Sequence, residues 1–146
     1  MASAGAAVFL ILPLLVGQMV DLRGLDESAA GMMASVYFAA YFLASASAYL
    51  WNRKISAATA GLLGYALMAL GLAIPAAVTG IVPLAIGFLL GGAGGGVLYV
   101  VGVSVISESS SVNRDFGIML FCQQLLAAVL YLTIPSVVGP SDGIVR

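Results

Sequence analysis

Histidine is absent, cysteine occurs once, and charge is scarce: five Lys or Arg and six Asp or Glu stand in 146 residues. Each shortage closes off a class of function. The only thiol, Cys122, has no base to activate it, and no carboxylate lies well inside an apolar run. Neither a catalytic triad nor a metal cluster can be assembled from this inventory, so no enzyme, no metal and no cofactor is expected. A single cysteine cannot close an internal disulfide, and in apolar sequence it reads as a small packed residue. No run of Lys and Arg could neutralise a series of phosphates, which excludes nucleic acid as a partner.

What is abundant is apolar surface. Hydrophobic residues make up 62% of the chain and charged ones 8%, and the mean hydropathy is +1.15. A water-soluble domain cannot cover such a core with polar surface, so the expected surroundings are membrane lipid. The charges then mark the helix ends. Asp21, Arg23, Asp26 and Glu27 form one cluster, Arg53 and Lys54 a second, and Glu108, Arg114 and Asp115 a third. Between Ile55 and Ser107 no charge occurs. A single helix over that stretch would be about 80 Å long at 1.5 Å per residue, against a hydrocarbon core of roughly 30 Å. The chain must therefore reverse once, and "IPAAVTGIVP", with Pro75, Thr79, Gly80 and Pro83, is where the breakers gather.

The expected fold class is an all-α membrane protein with five transmembrane helices, at about 3–22, 28–51, 55–76, 81–106 and 116–138. Lys and Arg are favoured on the cytoplasmic side. The corner holding Arg53 and Lys54, together with Arg114, places the N-terminus in the cytoplasm and the 75–83 turn outside, in a multi-pass protein of the cell (inner or plasma) membrane. Pro13 and Gly17 in the first span permit a bend.

The fourth span carries "GFLLGGAGGGVLY", Gly87 to Tyr99. In water, each interior glycine costs a helix roughly 1 kcal/mol against alanine. In lipid the hydrophobic drive between helices is small, and residues without bulk let backbones approach closely. Gly87, Gly91 and Gly95 form one row, Gly92 and Gly96 a second, and Gly94 and Gly102 widen the smooth surface. The fourth helix is a packing surface, with the first span as the expected neighbour of the Gly87 row. A sliding or solute-passing surface remains open as a second use of the same glycines.

Polar side chains inside spans are the candidates for a solute pathway, because an unpaired one is costly in lipid. They are Gln18 on the first span, Tyr37 and Tyr41 with Ser45 on one face of the second, Tyr99 on the fourth, and Gln123 and Gln124 with Tyr131 on the fifth. Each tyrosine can equally be an interfacial anchor or a packed ring. Adjacent Gln123 and Gln124 cannot share a helix face, so one of them is a candidate to face an aqueous cavity.

In this order the stretches "LPLLVGQMVDLRGLDESAAGMMASVYFAAY", "AYLWNRKISAATAGLLGYAL", "IGFLLGGAGGGVLYVVGVSVISES" and "RDFGIMLFCQQLLAAVLYLTIP" resemble the N-terminal half of a major facilitator superfamily transporter. The resemblance implies transport of a small-molecule solute by alternating access, with helices one, two, four and five lining the cavity or its gates. It also implies that Asn52 and Arg53 belong to the cytoplasmic gate link after the second helix. In that link the family has glycine, aspartate and glycine where this chain has Ala48, Asn52 and Ile55, so a neutral amide replaces the latching carboxylate. Many proton-coupled members have an arginine where Gly87 stands. The only carboxylates near the apolar spans, Asp21 and Glu108, lie at helix ends, so this segment is not expected to supply a proton carrier. A half of that fold has six helices. Five spans stop one helix short of a half, so the chain is expected to be a fragment truncated before a sixth helix, with a missing C-terminal half or another helical subunit as its partner. Two alternatives stay open: a non-transporting helical subunit that packs on a partner through the Gly-rich fourth helix, and a different carrier fold built from small oligomerising units.

Overall fold

The computed structural model describes residues 2–23, 25–78 and 80–138, apart from the side chains at 7, 18, 21–23, 76 and 134–138. Its elements are helices: α1 (Ala2–Arg23), α2 (Glu27–Ala46), α3 (Ala48–Trp51), α4 (Ala57–Ala77), α5 (Ile81–Ser107) and α6 (Val112–Val138). Helix is the form a single segment must take in lipid, since it satisfies its backbone groups internally. Four helical stretches among the described residues are long and apolar enough to cross a membrane: Glu27–Trp51, Ala57–Pro75, Ile81–Ser107 and Val112–Thr133. In α1 the apolar stretch runs over Ala2–Gly17 and is shorter.

Local chemistry sets the boundaries. Ser47 separates α2 from α3, with its hydroxyl turned back to the carbonyl of Ala44 at 2.8 Å and accepting from the Trp51 indole at 3.1 Å. Ser56 caps α4 by accepting from the Thr59 amide at 3.1 Å. The reversal between α4 and α5 passes through Gly80 at φ +130°, a conformation that favours glycine. Pro75 remains inside α4. α6 begins at Val112, ahead of the apolar run, because Ser109 and Ser111 donate to the Asp115 carboxylate and draw the polar link into the first turn.

α5 is the hub. It packs against α4, α2 and α1 and touches α6, while α1 also packs against α6 and α2. Contacts along each pair give the directions. Gly5 of α1 lies against Gly95 and Tyr99, and Ala2 against Gly102, so α1 runs antiparallel to α5. Tyr37 meets Gly92 and Tyr41 meets Gly96, so α2 runs parallel to it. Gly64 meets Gly94 and Gly71 meets Gly91, which makes α4 antiparallel. Ala2, Asn52, Ser104 and Gln123 thereby share one end of the bundle, tied by hydrogen bonds from Asn52 to Ser104 and from Gln123 to the Ala2 carbonyl. Arg53 and Lys54 follow Asn52 directly, and Arg114 precedes Asp115, which lies beside Ala2 and Gly102 at that same end.

Most large apolar side chains on the outer faces are exposed, Phe42, Leu62, Leu72, Phe121 and Leu132 among them. The largest fully buried side chains among the described residues are Tyr37, Leu12, Met33, Leu98 and Val101. Cys122 is exposed on α6 rather than packed. α6 meets the bundle mainly along α1, and the turn that carries Gln123 inward turns its neighbour outward.

Candidate functional site

The glycines of α5 sort by partner. Gly87 lies under Pro75 and the Gly71 carbonyl of α4, and Gly94 lies under the Gly64 carbonyl, 2.6 Å from where a β-carbon would stand. Gly92 and Gly96 lie under the carbonyls of Tyr37 and Tyr41 on α2. Gly95 faces the Gly5 carbonyl of α1, 3.0 Å from its β-carbon position, and Gly102 faces Ala2. At 100° per residue, positions 87, 91 and 94 share one face, 95 and 102 the next, and 92 and 96 a third. Three rows serve three neighbours. The first-span neighbour expected for Gly87 is therefore α4 instead, and Gly95 belongs with Gly102 on the α1 side. Gly91 is the loosest of its row. A β-carbon there would meet only Cε2 of Tyr37 at 3.9 Å, although its own backbone lies 2.7 Å from where a side chain on Gly71 would begin.

Carbonyl oxygens set against glycine backbones make the close Cα–H contacts common at helix crossings, each of modest worth. Ser45 adds a conventional bond, donating to the Gly96 carbonyl at 3.4 Å.

At the meeting of α1, α2 and α5 lies a ring cluster. Tyr37 and Tyr41 stack with centroids 6.3 Å apart, and Tyr41 leans on Tyr99 at 6.1 Å. Phe9 packs edge-on to Phe38 at 5.4 Å, and Phe88 approaches Tyr37 at 6.4 Å. Three tyrosines nominated from the sequence are thus brought together. Tyr37 is 1% exposed, and its hydroxyl has no hydrogen-bond partner. That hydroxyl lies 3.0 Å from the β-carbon position of Gly95. Next to the ring is an apolar cavity of about 70 Å³ between α1, α2, α4 and α5, lined by Leu15, Met68, Gly71, Phe88 and Gly91 among others. A buried hydroxyl without a partner carries a desolvation cost of about 1–3 kcal/mol.

The remaining nominees lie elsewhere. Gln123 is buried and donates to the Ala2 carbonyl at 3.4 Å, tying α6 to the start of α1. Gln124 and Tyr131 are exposed, turned about a quarter of the way round α6 from Gln123. Asn52 donates to the Ser104 hydroxyl at 2.8 Å, and Arg53 is exposed beside it. The side chains of Gln18 and Asp21, the residue Thr79 and the final stretch from Gly139 to Arg146 lie outside the described residues. Two partners were not readable from residue type: Ser104 as the acceptor for Asn52, and Gly5 as the residue whose carbonyl oxygen faces Gly95 in the α1–α5 seam. Gly5 does sit in a run of small residues, "ASAGAA", and that run was the available signal.

Comparison with family models, curated proteins and solved structures gives no match.

Proposed function

We propose that this chain is a helical unit of a secondary transporter that moves a small solute by alternating access, with an architecture like the N-terminal half of a major facilitator carrier. The observation that carries the reading is an exchange relation among the helices. Swapping α1 with α5 and α2 with α6 turns the α2–α5 contact into α6–α1 and the α1–α2 contact into α5–α6, and leaves α1–α5 unchanged. Directions follow the same rule, with α2 parallel to α5 and α6 parallel to α1. Inverted repeats of three helices are how many carriers place a solute site at the membrane midplane. In this reading α1 is the fifth span, and Arg53, Lys54 and Arg114 put the N-terminal end in the cytoplasm of a cell membrane.

The pathway wall is the tyrosine cluster. Tyr37 keeps a hydroxyl free at the α1–α2–α5 junction, and Tyr41 and Tyr99 extend the surface from it. Glycine rows on either side let α1 move over α5 without side chains catching. No cofactor enters this function; the solute and the remaining helices of the assembly are its partners. The competing reading, a subunit that docks through the α5 glycines, is disfavoured because α1, α2 and α4 of the same chain already occupy all three rows. Thiol labelling of a cysteine at position 41 from each side of the membrane tests the proposal: a carrier exposes it to both sides in turn.

A further inference from the structure

Past the end of the second span the chain turns through Asn52, Arg53 and Lys54 before α4 begins. A groove of about 640 Å³ opens at this corner, lined by Ala48, Tyr49, Leu50, Asn52, Arg53 and Lys54. Its two halves differ in chemistry. Tyr49 is 91% exposed and Leu50 66%, so α3 offers an aromatic ring and an aliphatic side chain to the lipid. Arg53 and Lys54 follow within one turn, at the depth where a span ends and headgroups begin. Among the described residues neither cation has an ion-pair partner; the ion pair at this end joins Arg114 to Asp115. Asn52 is held away by Ser104, and its amide nitrogen is committed there. Glu108, at the C-cap of α5, has no ion-pair partner among the described residues and makes none with Arg53 or Lys54.

We infer that this corner binds an anionic phospholipid, with the phosphate held by Arg53 and Lys54 and an acyl chain lying along Leu50 and Tyr49. Charge complementarity selects the occupant. Two unpaired cations at headgroup depth attract an anion, and an apolar wall continuous with them gives a free inorganic anion nothing to gain. Guanidinium and ammonium differ in what they add: Arg53 can grip two phosphate oxygens at once, and Lys54 supplies a mobile point charge.

The test uses the chain reconstituted in phosphatidylcholine bilayers doped with phosphatidylglycerol, with retained lipid counted by native mass spectrometry. Basic residues near an anionic surface contribute about 1 kcal/mol each, so the expected enrichment of phosphatidylglycerol over its bulk fraction is about thirtyfold. It falls to about one in Arg53→Gln/Lys54→Gln, partway in each single variant, and survives the charge-preserving exchange Arg53→Lys/Lys54→Arg. The single and charge-preserving variants decide the matter where the double variant does not fold. Arg114→Gln leaves the enrichment unchanged. Equal retention of both lipids, an equal loss on Arg114→Gln, or displacement of the lipid by inorganic phosphate at matched concentration overturns the inference.

Discussion

The hydroxyl of Tyr37 stands 3.0 Å from the point where a side chain on Gly95 would begin, buried and without a hydrogen-bond partner. Three helices meet at that point, and the Gly5 carbonyl of α1 also lies 3.0 Å from it. A polar group kept unsatisfied in a packed seam costs stability. Tyr37→Phe therefore raises resistance to denaturation in detergent, by about 1 kcal/mol. Unfolding by sodium dodecyl sulfate titration measures it; a loss of stability would mean that the hydroxyl is partnered.

The glycines of α5 are not equivalent. Gly94→Ala forces a β-carbon against the Gly64 carbonyl and the Met68 backbone, whereas Gly91→Ala meets only the Tyr37 ring edge at 3.9 Å. Overpacking of this kind costs about 1–3 kcal/mol. The monodisperse yield of Gly94→Ala should fall well below that of Gly91→Ala in fluorescence size-exclusion chromatography. Equal yields would contradict the assignment of Gly94 to the α4 seam.

Asn52 and Ser104 join the corner after α3 to α5 through one hydrogen bond at 2.8 Å. Breaking it frees the corner without unpacking the helices. Amide exchange over residues 47–56 should quicken in Asn52→Ala and in Ser104→Ala, with the double variant no faster than either single one. Additive acceleration would show that the two side chains act separately.

Lys54 and Val78 flank α4 at its two ends, and the proposed topology puts them on opposite sides of the membrane. In a Cys122→Ser background, Lys54→Cys should react with an impermeant thiol reagent only from the cytoplasmic face, and Val78→Cys only from the other. Labelling from the same face would reject the topology.

How far these features can be read from residues alone differs by element. The reversal at Gly80 and the helical division of the long uncharged stretch follow from length against bilayer thickness, because no other arrangement fits an uncharged chain into roughly 30 Å. The Tyr37–Tyr41–Ser45 row follows from helical periodicity. Which neighbour each glycine meets does not, because Gly94 and Gly95 are adjacent in sequence and differ only by a 100° rotation whose zero is set by the packing of α4 and α1. The same reason hides the inward turn of Gln123 and the outward turn of Gln124. Register between helices decides both, and register lies in shape complementarity along whole seams rather than in any local motif.

The most direct test concerns position 41, half-buried between Tyr37 and Tyr99 at the junction of α1, α2 and α5. A Tyr41→Cys variant, in the Cys122→Ser background and in the complete assembly, is exposed to an impermeant thiol reagent in right-side-out and in inside-out vesicles. Alternating access predicts modification from both faces, with each rate changing when a transported solute is added. Protection from both faces, with folding intact, would make the tyrosine cluster a static packing seam and contradict the account.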